Sequence, residues 1–124
     1  MSSNIMIYGA GAIGRGFLAP IFNKLGYKIS FVDKDVHLIK ELEKRRCYTT
    51  AKTKEDKYDF QEVCVESSYL LGEESSALKK TDFVFTCVGP RNSSSLANRI
   101  KNVPCIISFE NERDSVNILK GVPR

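Results

Sequence analysis

The sequence predicts an α/β domain with a doubly wound, mainly parallel sheet, and three observations predict it. Apolar runs at Ile5–Tyr8, Lys28–Val32, Phe83–Val88 and Cys105–Phe109 are continuous rather than strictly alternating, the pattern of strands covered on both faces. Segments of helical periodicity separate most of them, so each strand returns through a crossover and its neighbours run parallel, with right-handed crossovers as the default. The first strand runs into Gly9-Ala10-Gly11-Ala12-Ile13-Gly14, a Gly-x-Gly-x-x-Gly turn that opens a helix.

Length and composition bound the answer. A chain of 124 residues is one domain by the usual length prior, and 42% hydrophobic with 27% charged residues is an ordinary globular composition. The net charge of +4 is mild and the basic residues are spread along the chain, which argues against a nucleic-acid partner. Each apolar stretch is interrupted by Gly, Arg, Asn or Lys before it could span a bilayer, so no membrane partner is expected. Cys47, Cys64, Cys87 and Cys105 lie far apart, without metal-ligand spacing and without a signal-peptide pattern ahead of them. They read as buried free thiols in a cytoplasmic protein, with no metal.

The elements follow in order. After the polar lead Met1 to Asn4, the strand Ile5–Tyr8 enters a helix from about Gly11 to Leu25. Ile13, Phe17, Ile21 and Leu25 recur at four-residue spacing as its core face, and Gly26 ends it in the left-handed conformation. Pro20 interrupts this helix: it lacks an N–H and its ring would press on the carbonyl of Gly16, at a cost of about 3 kcal/mol, so a kink is expected. Asp33 closes the second strand, and a helix carrying Val36, Ile39, Leu42 and Glu43 follows, with Lys40, Glu41, Lys44 and Arg45 on its solvated side. His37, the single histidine, has no partner at a telling spacing there. Tyr48–Ala51 and Phe60–Val65 are β-prone around a polar run from Lys52 to Asp59, which reads as a β-hairpin inserted beside the sheet. Ser75 to Lys80 is a short helix, Gly89-Pro90 breaks the strand Phe83–Val88, Ser93 to Asn102 is helical, and Asp114 to Lys120 could start one more helix. The whole of 1–124 therefore reads as a Rossmann-like dinucleotide-binding domain.

A dinucleotide site needs a phosphate cradle, a ribose acceptor and a surface for the nicotinamide. Gly9 would allow the tight turn, Gly11 would let bare backbone approach the diphosphate, and Gly14 would let helix and strand pack closely. The diphosphate would sit at the helix N-terminus, where unpaired N–H groups favour an anion by about 0.3–1 kcal/mol. Asp33 stands where a carboxylate accepts the adenosine ribose hydroxyls; its charge favours NAD over NADP, with Lys34 partly offsetting the repulsion of a 2′-phosphate. The alternative role for Asp33 is to cap the following helix. Val88, Gly89 and Pro90 would pass under the cofactor on the same sheet edge. Asn111 could donate to a substrate oxygen or to the nicotinamide, and Glu110 could orient a neighbour, or both could satisfy backbone groups at a strand end. No residue reads as a general acid or base, so the catalytic set is empty and the base is expected outside this chain.

Gly9-Ala10-Gly11-Ala12-Ile13-Gly14-Arg15-Gly16-Phe17, then Asp33, then Thr86-Cys87-Val88-Gly89-Pro90, then Phe109-Glu110-Asn111 with Arg113 behind, resemble the amino-terminal domain of the polyol dehydrogenase family that includes mannitol-1-phosphate 5-dehydrogenase. The resemblance covers essentially the whole chain in order. It implies an NAD-dependent oxidoreductase of polyol metabolism, interconverting a sugar alcohol or its phosphate and the ketose, with the cofactor held by residues from about Ile5 to Gly16: Ile5, Met6, Ile7, Tyr8, the glycine turn, Arg15 and Gly16. It also implies a mainly helical carboxy-terminal domain, absent from this chain and docked against it, that carries the catalytic lysine. Asn111 matches an asparagine placed near the reacting oxygen, and Arg15 matches the family's invariant arginine. Pro20 departs from the family's first helix. Two other readings share the glycine turn: a free-standing nucleotide-sensing module such as the regulatory domains of potassium transporters, and another small-substrate reductase.

Overall fold

The structure is a computed structural model and describes residues 3–87, residue 100 and residues 105–108. Its strands are β1 (Asn4–Tyr8), β2 (Lys28–Asp33), β3 (Cys47–Lys54), β4 (Lys57–Cys64), β5 (Ser67–Leu70), β6 (Phe83–Thr86) and β7 (Cys105–Ser108). Its α-helices are α1 (Ala19–Lys24), α2 (Val36–Arg45) and α3 (Ser75–Leu78). A π-helical turn, Gly14–Leu18, leads directly into α1.

The main sheet has the order β5-β2-β1-β6-β7. All its pairings are parallel, with Asn4 opposite Lys28 in β1–β2 and Ile5 opposite Phe83 in β1–β6. Chain direction reverses its walk across the sheet between β1 and β6, which is the switch point where open α/β sheets take ligands. β1 is buried along its apolar length because alternate side chains feed two cores. Ile5 and Ile7 join Leu18, Phe31, Leu42 and Phe85 on one face, while Met6 and Tyr8 join Val32, Val84 and Ile100 on the other.

The hairpin is a separate antiparallel pair, β3–β4, in register from Cys47 opposite Cys64 to Lys54 opposite Lys57. Its strands reach further than the sequence suggested. The polar run 52–59 is largely strand, because a two-residue turn at Glu55-Asp56, with φ of 50° and 62°, closes the hairpin tightly. Val63 anchors the hairpin in the first core. β5, which carries the outer parallel pairing with β2, is a strand that periodicity alone did not single out, since Ser67-Ser68-Tyr69-Leu70 is only four residues long and half polar.

Several expectations are corrected. The helix after the glycine turn has its core face one residue away from the predicted stripe. Gly14, Leu18 and Ala19 are buried, whereas Ile13, Phe17, Ile21 and Leu25 are 47%, 50%, 37% and 66% exposed. Two apolar series at four-residue spacing run side by side here, and the close approach of Gly14 to the sheet selects the series 14, 18 and 22. Pro20 lies in the first positions of α1, directly after the π turn, so the irregularity expected at the proline takes the form of a change of helix register and the N–H it lacks is missing at that junction. Finally, Cys47 and Cys64 form a disulfide rather than two buried thiols, because antiparallel pairing sets them opposite each other with Cα atoms 4.0 Å apart. In α2, Ile39 and Leu42 face the core as expected, but Val36 is 43% exposed and Glu43 lies at the surface.

Candidate functional site

The carboxyl ends of β2, β1 and β6 are knitted together where β1 gives way to the glycine turn. Gly9 N–H donates to the Val32 carbonyl at 2.8 Å, and Cys87 N–H donates to the Tyr8 carbonyl at 2.7 Å. Gly9 adopts φ +100°, a conformation that strains any side chain, and so turns the chain from strand toward helix. Gly14 is the close-packing position: a Cβ there would collide with the Gly9 carbonyl oxygen and crowd Ile7 Cγ2 at 3.3 Å and Phe31 Cε1 at 3.4 Å. Gly11 is the opposite case, since a Cβ there would meet nothing within 4 Å. Among the described residues neither packing nor φ calls for a glycine at 11.

Asp33 faces the turn directly. One carboxylate oxygen accepts from Ala10 N–H at 2.8 Å and the other from Asp35 N–H at 2.9 Å. The capping role weighed for Asp33 belongs instead to Asp35, whose side chain accepts from Leu38 N–H at 3.1 Å at the start of α2. Asp33 thus fixes the second residue of the glycine turn and keeps one acceptor lone pair on each oxygen for a further donor. Gly11, Ala12 and Ile13 are exposed beside it, and Arg15 is half-buried one step into the helix, its Nε sealed from solvent without a hydrogen-bond partner among the described residues. An exposed turn, a half-buried arginine and a carboxylate with spare acceptor capacity thus sit close together at the carboxyl end of β1.

The strand residues that the sequence groups with the turn lie beneath it. Ile5, Met6, Ile7, Tyr8 and Ala10 are each at most 2% exposed, backbone included, so they support the turn from below rather than present a surface. Val88, Gly89, Pro90 and Asn111 lie outside the described residues, as do Glu110 and most of the segment Ser93 to Asn102.

Sequence reasoning missed two supporting side chains. Glu74, 1% exposed, accepts from Tyr8 O–H at 2.7 Å and from Gly72 N–H at 2.7 Å, joining the loop after β5 to the end of β1. Tyr48 in the hairpin donates to the carbonyl of Arg15 at 2.8 Å. Burial pushes its phenol above the ordinary pKa, against a smaller opposing pull from the Arg15 charge. No local pattern announces either contact, because both partners are far apart in the chain. Cys47, Glu62 and Cys64 place ligand atoms within 4.8 Å of one another, a cluster their spacing did not suggest, but the two sulfurs are bonded to each other. Among the described residues no helix is long and apolar enough to cross a membrane.

Sheet order, switch point, positive-φ glycine and the carboxylate across from it define a Rossmann domain, and a Rossmann dehydrogenase domain takes a nucleotide cofactor. The same fold is seen in glycerol-3-phosphate dehydrogenase from Coxiella burnetii, which superposes with a TM-score of 0.70 over 97% of this chain and 37% of that one, at 15% identity. The family profile of the mannitol dehydrogenase Rossmann domain matches residues 3–118, and the chain belongs to that family. It is 36% identical over 97 residues to mannitol-1-phosphate 5-dehydrogenase from Caldanaerobacter subterraneus subsp. tengcongensis, covering 76% of this chain and 25% of that protein. It is 29% identical over 127 residues to the enzyme of the same name from Thermoanaerobacter pseudethanolicus, covering 92% of this chain and 33% of that protein. The chain therefore spans a quarter to a third of the length of these relatives.

Proposed function

We propose that this domain binds NAD for hydride transfer between a sugar alcohol, or its phosphate, and the corresponding ketose. The observation that carries the reading is the 2.8 Å hydrogen bond from Ala10 N–H to Asp33, which brings the glycine turn and this carboxylate together and so supports their joint role as phosphate cradle and ribose acceptor. In this reading the backbone amides from Gly11 to Gly14 hold the diphosphate, aided by Arg15, and Asp33 accepts from the adenosine ribose hydroxyls. Bound NAD supplies the hydride acceptor; this chain's residues supply binding, orientation and charge. Val88, Gly89, Pro90 and Asn111 are assigned to the nicotinamide half on the resemblance alone. The relatives named for mannitol 1-phosphate support a polyol phosphate as substrate.

The base and most substrate contacts are assigned to the portion of the relatives that this chain does not span, so this chain alone binds cofactor without turnover. Ile13, Ile21 and Leu25 give that portion an apolar face beginning at the glycine turn. Hydroxyl-radical footprinting that labels Ile21 and Leu25 equally in this chain and in the longer protein removes that contact from the reading.

Calorimetric titration of the purified chain tests the cofactor assignment. NAD binds more tightly than NADP, and Asp33→Ala weakens NAD by about tenfold or more while narrowing the preference, since a hydrogen bond to a charged group contributes about 1.5–3 kcal/mol. Equal affinities for both dinucleotides in the unaltered chain refute the role of Asp33.

A further inference from the structure

The helix that carries the turn changes register within its first turns. Arg15 N–H donates to the Gly11 carbonyl at 3.0 Å, four residues back, whereas Ala19 N–H donates to the Gly14 carbonyl, five residues back. This leaves the Arg15 carbonyl without a donor inside the helix. In α register its donor would be Ala19 N–H, already given to Gly14; in π register it would be the N–H of residue 20, and Pro20 has none.

The missing donor comes from the hairpin. Tyr48 O–H reaches the Arg15 carbonyl at 2.8 Å. Further contacts run between the same two elements: Gln61 Nε2 donates to the Pro20 carbonyl at 2.8 Å, and Asn23 Nδ2 donates to the Glu62 carbonyl at 3.2 Å. The side-chain oxygen of Asn23 in turn accepts from Cys64 N–H at 3.3 Å. The hairpin therefore bonds to the helix at the Arg15 and Pro20 carbonyls and at the Asn23 side chain.

We propose that Tyr48 is a positioning residue for the glycine-turn site: its hydroxyl replaces the N–H that Pro20 lacks and ties the hairpin to the turn bearing Gly14, Arg15 and Gly16. The proposal rests on the reading that this turn binds NAD. Tyr48 acts through the helix and does not touch the ligand.

A double-mutant cycle on this chain tests it, with Tyr48→Phe, Pro20→Ala and the double variant measured by NAD calorimetry and by denaturant unfolding. Tyr48→Phe alone lowers both the folding constant and NAD affinity by about five- to tenfold, the effect of leaving a part-buried carbonyl without its donor. In the Pro20→Ala background Arg15 finds a helix donor in either register, the restored N–H of residue 20 if the π turn persists or Ala19 N–H if the helix reverts to α register, so the same tyrosine change costs less than about twofold. A ring that merely packs would cost the same in both backgrounds, and that additive result overturns the proposal. Should Tyr48→Phe fail to fold, folding of the double variant supports the proposal and its failure to fold refutes it. If the parent chain does not bind NAD, the functional reading fails, and the unfolding cycle still decides whether Tyr48 substitutes for the missing N–H.

Discussion

Placing one methyl group at Gly11 or at Gly14 should separate binding from folding. At Gly14 the new Cβ meets the Gly9 carbonyl oxygen, a backbone atom pinned in place by Gly9 N–H bonding to Val32, and also crowds Ile7 and Phe31 at 3.3 and 3.4 Å. None of these neighbours is a flexible chain end, so Gly14→Ala is expected to destabilise the domain by at least the about 1–3 kcal/mol typical of overpacking a core. At Gly11 nothing lies within 4 Å and φ is outside the left-handed region, so Gly11→Ala leaves stability within about 0.5 kcal/mol of the parent. The space in front of Gly11 is where the diphosphate would lie. Gly11→Ala therefore weakens NAD binding and the longer Gly11→Leu abolishes it, with both variants folding normally. Urea unfolding supplies the stability axis and calorimetry the binding axis. A Gly11→Leu domain that folds and binds NAD as the parent does would refute the placement of the cradle, and a Gly14→Ala domain of parental stability would refute the packing argument.

Reducing the Cys47–Cys64 disulfide, which closes a segment of sequence separation 17, lowers stability by about 3 kcal/mol in the chain-entropy account, read as the shift in unfolding midpoint with and without a dithiol. No shift would mean that the bridge does not form in solution. Glu74→Ala withdraws the acceptor of both Tyr8 O–H and Gly72 N–H and costs about 2–5 kcal/mol, with Glu74→Gln, which keeps one acceptor oxygen, falling between it and the parent. A Glu74→Ala midpoint equal to the parent's would sink this. Because the folded-state pKa of Tyr48 is raised above the unfolded value of about 10, its contribution is complete below pH 10 and declines as pH rises beyond that. The stability gap between parent and Tyr48→Phe should accordingly narrow above pH 10, and a gap constant from pH 8 to 11 contradicts the assignment.

Local patterns carried much of this protein. The continuous apolar runs gave β1, β2, β6 and β7, because a strand buried on both faces must be apolar throughout, and the spacing of Gly9, Gly11 and Gly14 with Asp33 marked the turn and its acid. Those are properties of neighbouring residues, so a chain can display them before it folds. What needed the tertiary structure was whatever depends on phase and on distant partners. Ile13, Phe17, Ile21 and Leu25 satisfy the helical period as well as Gly14, Leu18 and Phe22 do; the steric demand of the sheet at Gly14 selects between them. Pro20 looks like a defect until the hairpin's Tyr48 is seen meeting the carbonyl it strands, 33 residues away. The pairing of Cys47 with Cys64 likewise follows from hairpin register, which the turn at Glu55-Asp56 fixes. Periodicity tells a helix that it has an apolar face; only the surface it lands on decides which face that is.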